Sequence, residues 1–511
     1  MLKSSRNLML AASPFALAVA LAGAANAQGA GQADRLDALI KEQTSRLEEL
    51  RREVKELKKK QAKTEATVLQ TETAVQNAEK SSAAIAKPKT PGATGSPQAG
   101  NYVEAGSKRL SWKLPGSDVS LRIGGYAKAD FIGAWGGRTN GSPDLFNPVA
   151  IATRGVATPT APGDPNTRFH ARQSRLFFEA SKTNTPWGPA RVLVEADFFG
   201  PSDLGNEIAS NSNTFRLRHA IAEVGPLLGG QFWSTFSDPS TYSEGFDFQG
   251  PGGQTFLRVP QLRYTHNFGG GLTGALAVEN PEGRVRIGNG PVNGTGVAGA
   301  LGPGLLNSNV ATAPRDTLPD IILRARYESP ELILQAAGVA ARSATPLGTT
   351  PGAINGIVAE SDGIWGFGFL ATGQIGLPFL GHKKDNLRFQ AGYLDGASRY
   401  LQDVGGQASF AFSNNLATVE SITAYGGYGA LQHWWTDSLR SNFVYSRVAI
   451  NQPTFSSGTQ LRDTQYISGN LIYSPFPEVD LGVEYQNGER TDLDGNKGNQ
   501  SRVQSTIIYR F

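Results

Sequence analysis

From Val119 to Trp135 the odd positions are apolar or small: Val119, Leu121, Ile123, Ala127, Ala129, Phe131 and Trp135. The even positions carry Ser120, Arg122, Lys128 and Asp130. A period of two means a β-strand with one apolar face. A strand of a soluble sandwich sustains this for five or six residues, whereas a tilted membrane-crossing strand needs about 9–11. The pattern recurs around Arg191, Ile322, Phe389 and Val479. Short turns (183–186, 268–271, 329–330, 475–477) alternate with long stretches rich in Gly, Pro and Asn (136–167, 282–319, 343–360). Short turns on one side and long loops on the other are the connection pattern of outer-membrane barrels.

The expected fold is an all-β transmembrane antiparallel barrel over 111–511, preceded by an N-terminal α-helical coiled coil. Strand starts fall near residues 118, 168, 188, 214, 228, 256, 272, 319, 331, 363, 386, 417, 439, 462, 478 and 501. That makes 16 strands, an even number that returns the chain to its starting side; 18 is the alternative, through the region 363–435. Beyond the N-terminus no run of 18 apolar residues occurs, and mean hydropathy is −0.29, which excludes a polytopic helical membrane protein. With no Cys, disulfide scaffolds, Cys-ligated zinc and thiol enzymes are excluded. A net charge of +4 on 511 residues gives no reason to expect nucleic acid.

The first 27 residues read as a signal peptide. Lys3 and Arg6 precede an apolar stretch, and Ala25-Asn26-Ala27 supplies the cleavage site. The region 28–80 carries a heptad pattern. Its two core rows are Ile40, Leu47, Val54, Gln61, Val68, Val75 and Leu36, Gln43, Leu50, Leu57, Thr64, Thr71, Ala78. A lone helix cannot bury such a seam, so self-association is expected, and the heptads alone leave dimer and trimer open. Residues 81–110 lose the period and read as a Pro/Gly/Ser-rich linker. At the far end Val503, Ser505, Ile507, Tyr509 and Phe511 share one strand face. A C-terminal Phe on an amphipathic strand is similar to the signal read by the barrel assembly machinery.

Trp112-Lys113-Leu114-Pro115-Gly116-Ser117-Asp118, then Ser120 to Asp130, resembles the opening of DcaP-like porins. So do Ser174 to Glu179, Val194 to Gly200, Arg216 to Ala220 and Gly230 to Phe236, and so does the order of signal peptide, coiled coil, linker and barrel. The resemblance implies a trimeric 16-stranded channel that passes small anionic solutes, dicarboxylates among them. It also implies outer-membrane lipid as surroundings and a coiled coil in the periplasm, toward the peptidoglycan.

In a channel the inward face carries the chemistry. Strand parity places Arg122, Lys128, Arg175, Arg191, Arg216, Arg218, Arg263, Arg324, Arg326, Arg388, Arg440, Arg462, Arg502 and Arg510 inside. It places Asp130, Glu179, Glu195, Asp197, Glu279, Glu328, Asp480 and Glu484 with them. Fourteen cations against eight acids make a basic lumen, and basic rings bias a pore toward anions. Arg adds a planar two-donor grip on carboxylate or phosphate. Arg216 and Arg218 have no acid beside them in sequence, which makes them the leading anion contacts. The loop 237–253 follows the fifth strand and is expected to fold into the lumen, setting Asp238, Glu244 and Asp247 against the wall Arg. Trp187, Trp434, Trp435, Tyr473, Tyr509 and Phe511 are expected to form the periplasmic aromatic girdle.

No cofactor or metal is expected. The five His have no ligand spacing and no G-x-S-x-G occurs, so the chain does not read as an enzyme. The alternatives are a structural tether or a barrel enzyme, either of which would conduct little.

Overall fold

The computed structural model describes residues 104–108, 110–137, 144–153, 165–200, 213–282, 285–287, 318–343, 364–402, 409–412 and 419–511. The expected signal peptide and coiled coil, and the linker up to residue 103, lie outside the described residues.

Sixteen strands form the wall. They are β1 (Ser120–Gly136), β2 (Asn166–His170 continued by Arg175–Lys182), β3 (Ala190–Asp197), β4 (Arg216–Val224), β5 (Leu227–Trp233), β6 (Arg258–Gly269), β7 (Leu272–Glu279) and β8 (Asp320–Glu328). There follow β9 (Leu332–Ser343), β10 (Ile364–Gly376), β11 (Asn386–Asp395), β12 (Thr423–Trp434), β13 (Leu439–Asn451), β14 (Leu461–Phe476), β15 (Val479–Asp492) and β16 (Lys497–Arg510). Each pairs antiparallel with its neighbour in sequence. The sheet closes where β1 pairs with β16, from Tyr126↔Arg510 to Gly136↔Gln500. Closure leaves no edge, which a sheet in hydrocarbon requires. The 16-strand count from alternation holds, and the alternative of 18 is set aside.

The alternation inverts the arrangement of a soluble protein. On β6 Leu262 is 58% exposed and Tyr264 46% on the outside, while Gln261 is 7% exposed inside. On β1 Ile123 and Phe131 face out, while Lys128 and Asp130 are buried inside at 4% and 2%. The outward faces form the apolar band that meets lipid.

Turns on the terminal side are tight. Between β4 and β5 the chain turns on Gly225-Pro226, with Gly225 at φ +56. A Cβ there would lie 1.9 Å from the Trp187 carbonyl oxygen, so only Gly fits. On the opposite side the long connections fold inward. Val149, Phe236, Ala397, Tyr400 and Leu401 from three of them join Ile322, Val339, Leu370, Leu394, Val448 and Ile450 from the wall in one apolar cluster. The loop end of the lumen is therefore narrowed by a hydrophobic core, which two-residue alternation did not forecast.

Candidate functional site in the lumen

The loop between β5 and β6 crosses the lumen and is bonded to most of the wall. Asp238 pairs with Arg326 of β8 at 3.1 Å. Tyr428 of β12 donates to the Thr241 carbonyl at 3.0 Å, and Arg388 of β11 to the Tyr242 carbonyl at 2.8 Å. Glu244 accepts two hydrogen bonds from one edge of the Arg440 guanidinium on β13, from Nε at 2.8 Å and Nη2 at 2.5 Å. The Phe246 N–H donates to Glu484 of β15. The Phe246 carbonyl accepts from Lys128 of β1 at 2.5 Å and from Gln504 of β16 at 3.0 Å. Asp247 stands 3.5 Å from Arg502 and accepts the backbone N–H groups of Phe146, Gln249 and Gly250. Burial pushes the Asp247 carboxyl above its usual range, and the Arg502 charge opposes that push. The three loop acids thus meet wall Arg, as pairs in contact and not as charges facing each other across open water.

Cross-strand partners settle which wall cations are occupied. Arg216 grips Asp197 with two donors, Nε at 3.0 Å and Nη2 at 2.8 Å. Arg218 pairs with Glu195 at 2.7 Å and Asp197 at 3.0 Å, and is itself only 2% exposed. The expectation that these two lead the anion contacts is corrected. Their acids sit on β3, opposite them in register and 19 to 23 residues away in sequence. A bulge contributes as well, because Glu195 pairs with His219 and Ala196 with Leu217, leaving Arg218 as the extra residue. Two successive side chains, Arg218 and His219, therefore turn inward.

Other cations are similarly held. Arg175 reaches Glu195 at 3.5 Å, and Arg191 reaches Glu223 at 2.6 Å. Lys128 stands 3.4 Å from Asp130, and Arg326 also meets Glu328 and Ser240. Arg462 is corrected: it lies at a bulge between Leu461 and Asp463, with its side chain 48% exposed at the rim. Four cations on the expected inward face have no carboxylate within 4.0 Å among the described residues: Arg122, Arg263, Arg324 and Arg388. Arg122 lies 4.8 Å over the Phe177 ring, and Arg263 lies 5.6 Å over Phe232. Arg263 and Arg324 stand on β6 and β8 with the small side chains of Ala275 and Ala277 of β7 between them. Arg258, at the start of β6, is a fifth such cation that strand parity did not include.

Below the loop a cavity of about 880 Å³ opens toward the terminal side, lined by Arg388, Arg440, Lys384, Trp434, Glu244 and Arg510 among others. Trp434 is therefore no girdle residue. It faces inward, with Lys384 and Arg440 4.2 and 5.1 Å over its ring. Trp187, Trp435, Tyr473, Tyr509 and Phe511 do stand exposed on the outside.

A closed 16-stranded barrel with an apolar outer band, a polar interior and a loop folded across it is the architecture of an outer-membrane porin. Residues 169–511 match the DcaP outer membrane protein family, and the chain belongs to that family. This places it in the bacterial outer membrane. The crystal structure of the outer membrane channel DcaP of Acinetobacter baumannii superposes with a TM-score of 0.60 and 19% identity. That alignment covers 77% of this chain and 97% of that one, and at such identity it shows the fold. OmpT, an outer membrane protein of Vibrio cholerae, aligns at TM-score 0.44 and 12% identity over 78% and 99%. An anion-selective porin from Comamonas acidovorans aligns at 0.43 and 10% over 77% and 100%. None of the curated proteins compared with the chain matches it.

Proposed function

We propose that the channel passes small anionic solutes, dicarboxylates foremost, by diffusion along an Arg-lined wall. The observation that carries this reading is the set of inward guanidiniums with no carboxylate within 4.0 Å among the described residues, Arg263, Arg324 and Arg388, beside wall and loop acids that are already paired. A charge already neutralised in contact does little to a passing ion, whereas an uncovered guanidinium attracts carboxylates and repels cations. The permeation contacts are thus Arg263, Arg324 and Arg388, with Arg122 near the periplasmic end. In planar bilayers under a low-salt gradient the wild-type reversal potential is expected to have the sign of anion preference, with conductance steps in threes. A cation-selective sign would overturn the reading.

The assembly is a homotrimer, and residues 28–80 form its periplasmic coiled coil. The heptad seam supports this, because one helix alone cannot bury it. Phe511 serves as the assembly signal. Its backbone is tied to β1 by reciprocal bonds with Gly125, both 3.1 Å, while its side chain is 50% exposed and open to recognition. Phe511→Ala is expected to lower the amount inserted in cells several-fold while shifting the unfolding midpoint of the refolded barrel little. Equal losses in both assays would reduce the side chain to an interfacial packing role.

A further inference from the structure

Behind the aromatic face of the constriction loop the wall holds positive charge that its acids do not cover. Glu195 is shared by Arg218 at 2.7 Å and Arg175 at 3.5 Å. Asp197 is shared by Arg218 and Arg216. Arg258 stands beside this group and has no carboxylate within 4.0 Å among the described residues. Its guanidinium lies 4.8 Å over Trp233 and 5.1 Å over Phe256. Arg216 and Arg218 lie 5.1 and 5.5 Å over Phe248, whose ring centre is 5.5 Å from that of Phe256.

The donors here are buried and unmet. Arg258 Nη1 and Arg175 Nε are shielded from solvent and have no hydrogen-bond partner among the described residues. Arg218 and Arg216 act on Arg258 as like charges. The rings satisfy the faces of these guanidiniums, but their in-plane N–H groups still need acceptors. A buried charged donor without an acceptor is costly, and several in one place call for a missing partner. Water could accept a hydrogen bond but would not offset the charge.

We propose that a small oxyanion, a carboxylate or phosphate group, resides against the Nη1 edge of Arg258 as a bound counter-ion. It would complete the charge balance with Arg218 and Arg175 and fasten the Phe248–Phe256 part of the loop to β4 and β6. A carboxylate or phosphate edge matches the planar donor fork of Arg. The site is separate from the permeation contacts Arg263, Arg324 and Arg388, so an anion held here would not need to be the one that passes.

The test uses the purified full-length chain in detergent, exchanged into low-salt Tris chloride, with inorganic phosphate or succinate then added. Either anion is expected to raise the thermal midpoint by several degrees, saturably in the millimolar range. A shift with phosphate alone assigns a phosphate and a shift with succinate alone assigns a dicarboxylate. The shift should vanish in Arg258→Gln and persist in the double variant Arg263→Gln/Arg324→Gln. Equal shifts with added chloride, in wild type and Arg258→Gln alike, would overturn the proposal as general screening. Crystals of the wild-type protein grown with selenate give a reading that needs no variant. An anomalous peak in contact with Arg258 Nη1 is expected, and a map without one there, together with no midpoint shift from either anion, overturns the site. Reversal potentials report on the permeation reading separately, so either can fail alone.

Discussion

Replacing Arg263 and Arg324 together by Gln is expected to lower anion over cation permeability several-fold in low salt. Both residues face inward on strands whose other face is exposed and apolar, and neither has a carboxylate within 4.0 Å among the described residues. Gln keeps a polar side chain there and removes only the charges. A unit charge acts on an ion at 4 Å with about 1 kcal/mol in bulk water and about 4 kcal/mol at an effective dielectric of 20. Two such charges at 4 Å set an upper bound of well over tenfold, and a hydrated ion passing farther from the wall feels the several-fold change expected here. The effect should shrink in high salt, because the screening length falls to about 3 Å at 1 M. Arg216 and Arg218 are the wrong pair for this experiment. Removing them strands Asp197 and Glu195, and breaking a buried pair costs about 3–5 kcal/mol in folding. If the Arg263/Arg324 variant keeps the wild-type reversal potential in low salt, selectivity is set elsewhere, with Arg388 and the cavity below the loop the next place to look.

The wall was legible in the sequence because its signal is local. A strand such as Val119 to Trp135 announces both faces by itself, and the strand starts follow from counting such runs. What failed to show is whatever depends on register. Arg216 looked unaccompanied because its acid, Asp197, reaches it only through β3–β4 pairing. Arg462 took the wrong side because a bulge at Leu461/Asp463 shifts parity by one residue. Arg258 was missed because it stands at the first residue of β6, where alternation has barely begun. The apolar cluster at the loop end left a faint trace. In Ile321-Ile322-Leu323 and in Val448-Ala449-Ile450 both faces are apolar, so the inward face is dry there. A place near a strand end, such as that of Trp434, says nothing about which way a ring points. The family resemblance rested on motifs between residues 112 and 236, whereas the family match runs over 169–511.

Asp247→Ala is expected to free the constriction loop while leaving the barrel standing. The carboxylate accepts three backbone N–H groups and faces Arg502, and all of these but Gly250 are buried. Each orphaned donor costs about 1–3 kcal/mol and the broken ion pair about 3–5 kcal/mol, and these are not additive. Any value in that range exceeds what one loop tip can absorb without moving. The loss stays local because the strands are joined by their own ladder and do not use the loop for closure. The neighbouring contacts of Phe246 with Lys128, Glu484 and Gln504 would then have to hold the tip alone. Single-channel records should show larger and noisier openings, and hydrogen exchange should rise several-fold across residues 244–250, with little change in the thermal midpoint of the barrel. Asp238→Ala should do much less, since Arg326 retains Glu328 and Ser240. An unchanged current trace and unchanged exchange in Asp247→Ala would mean that the ring contacts of Phe248 with Phe199 at 4.6 Å and Phe256 at 5.5 Å hold the loop without the carboxylate.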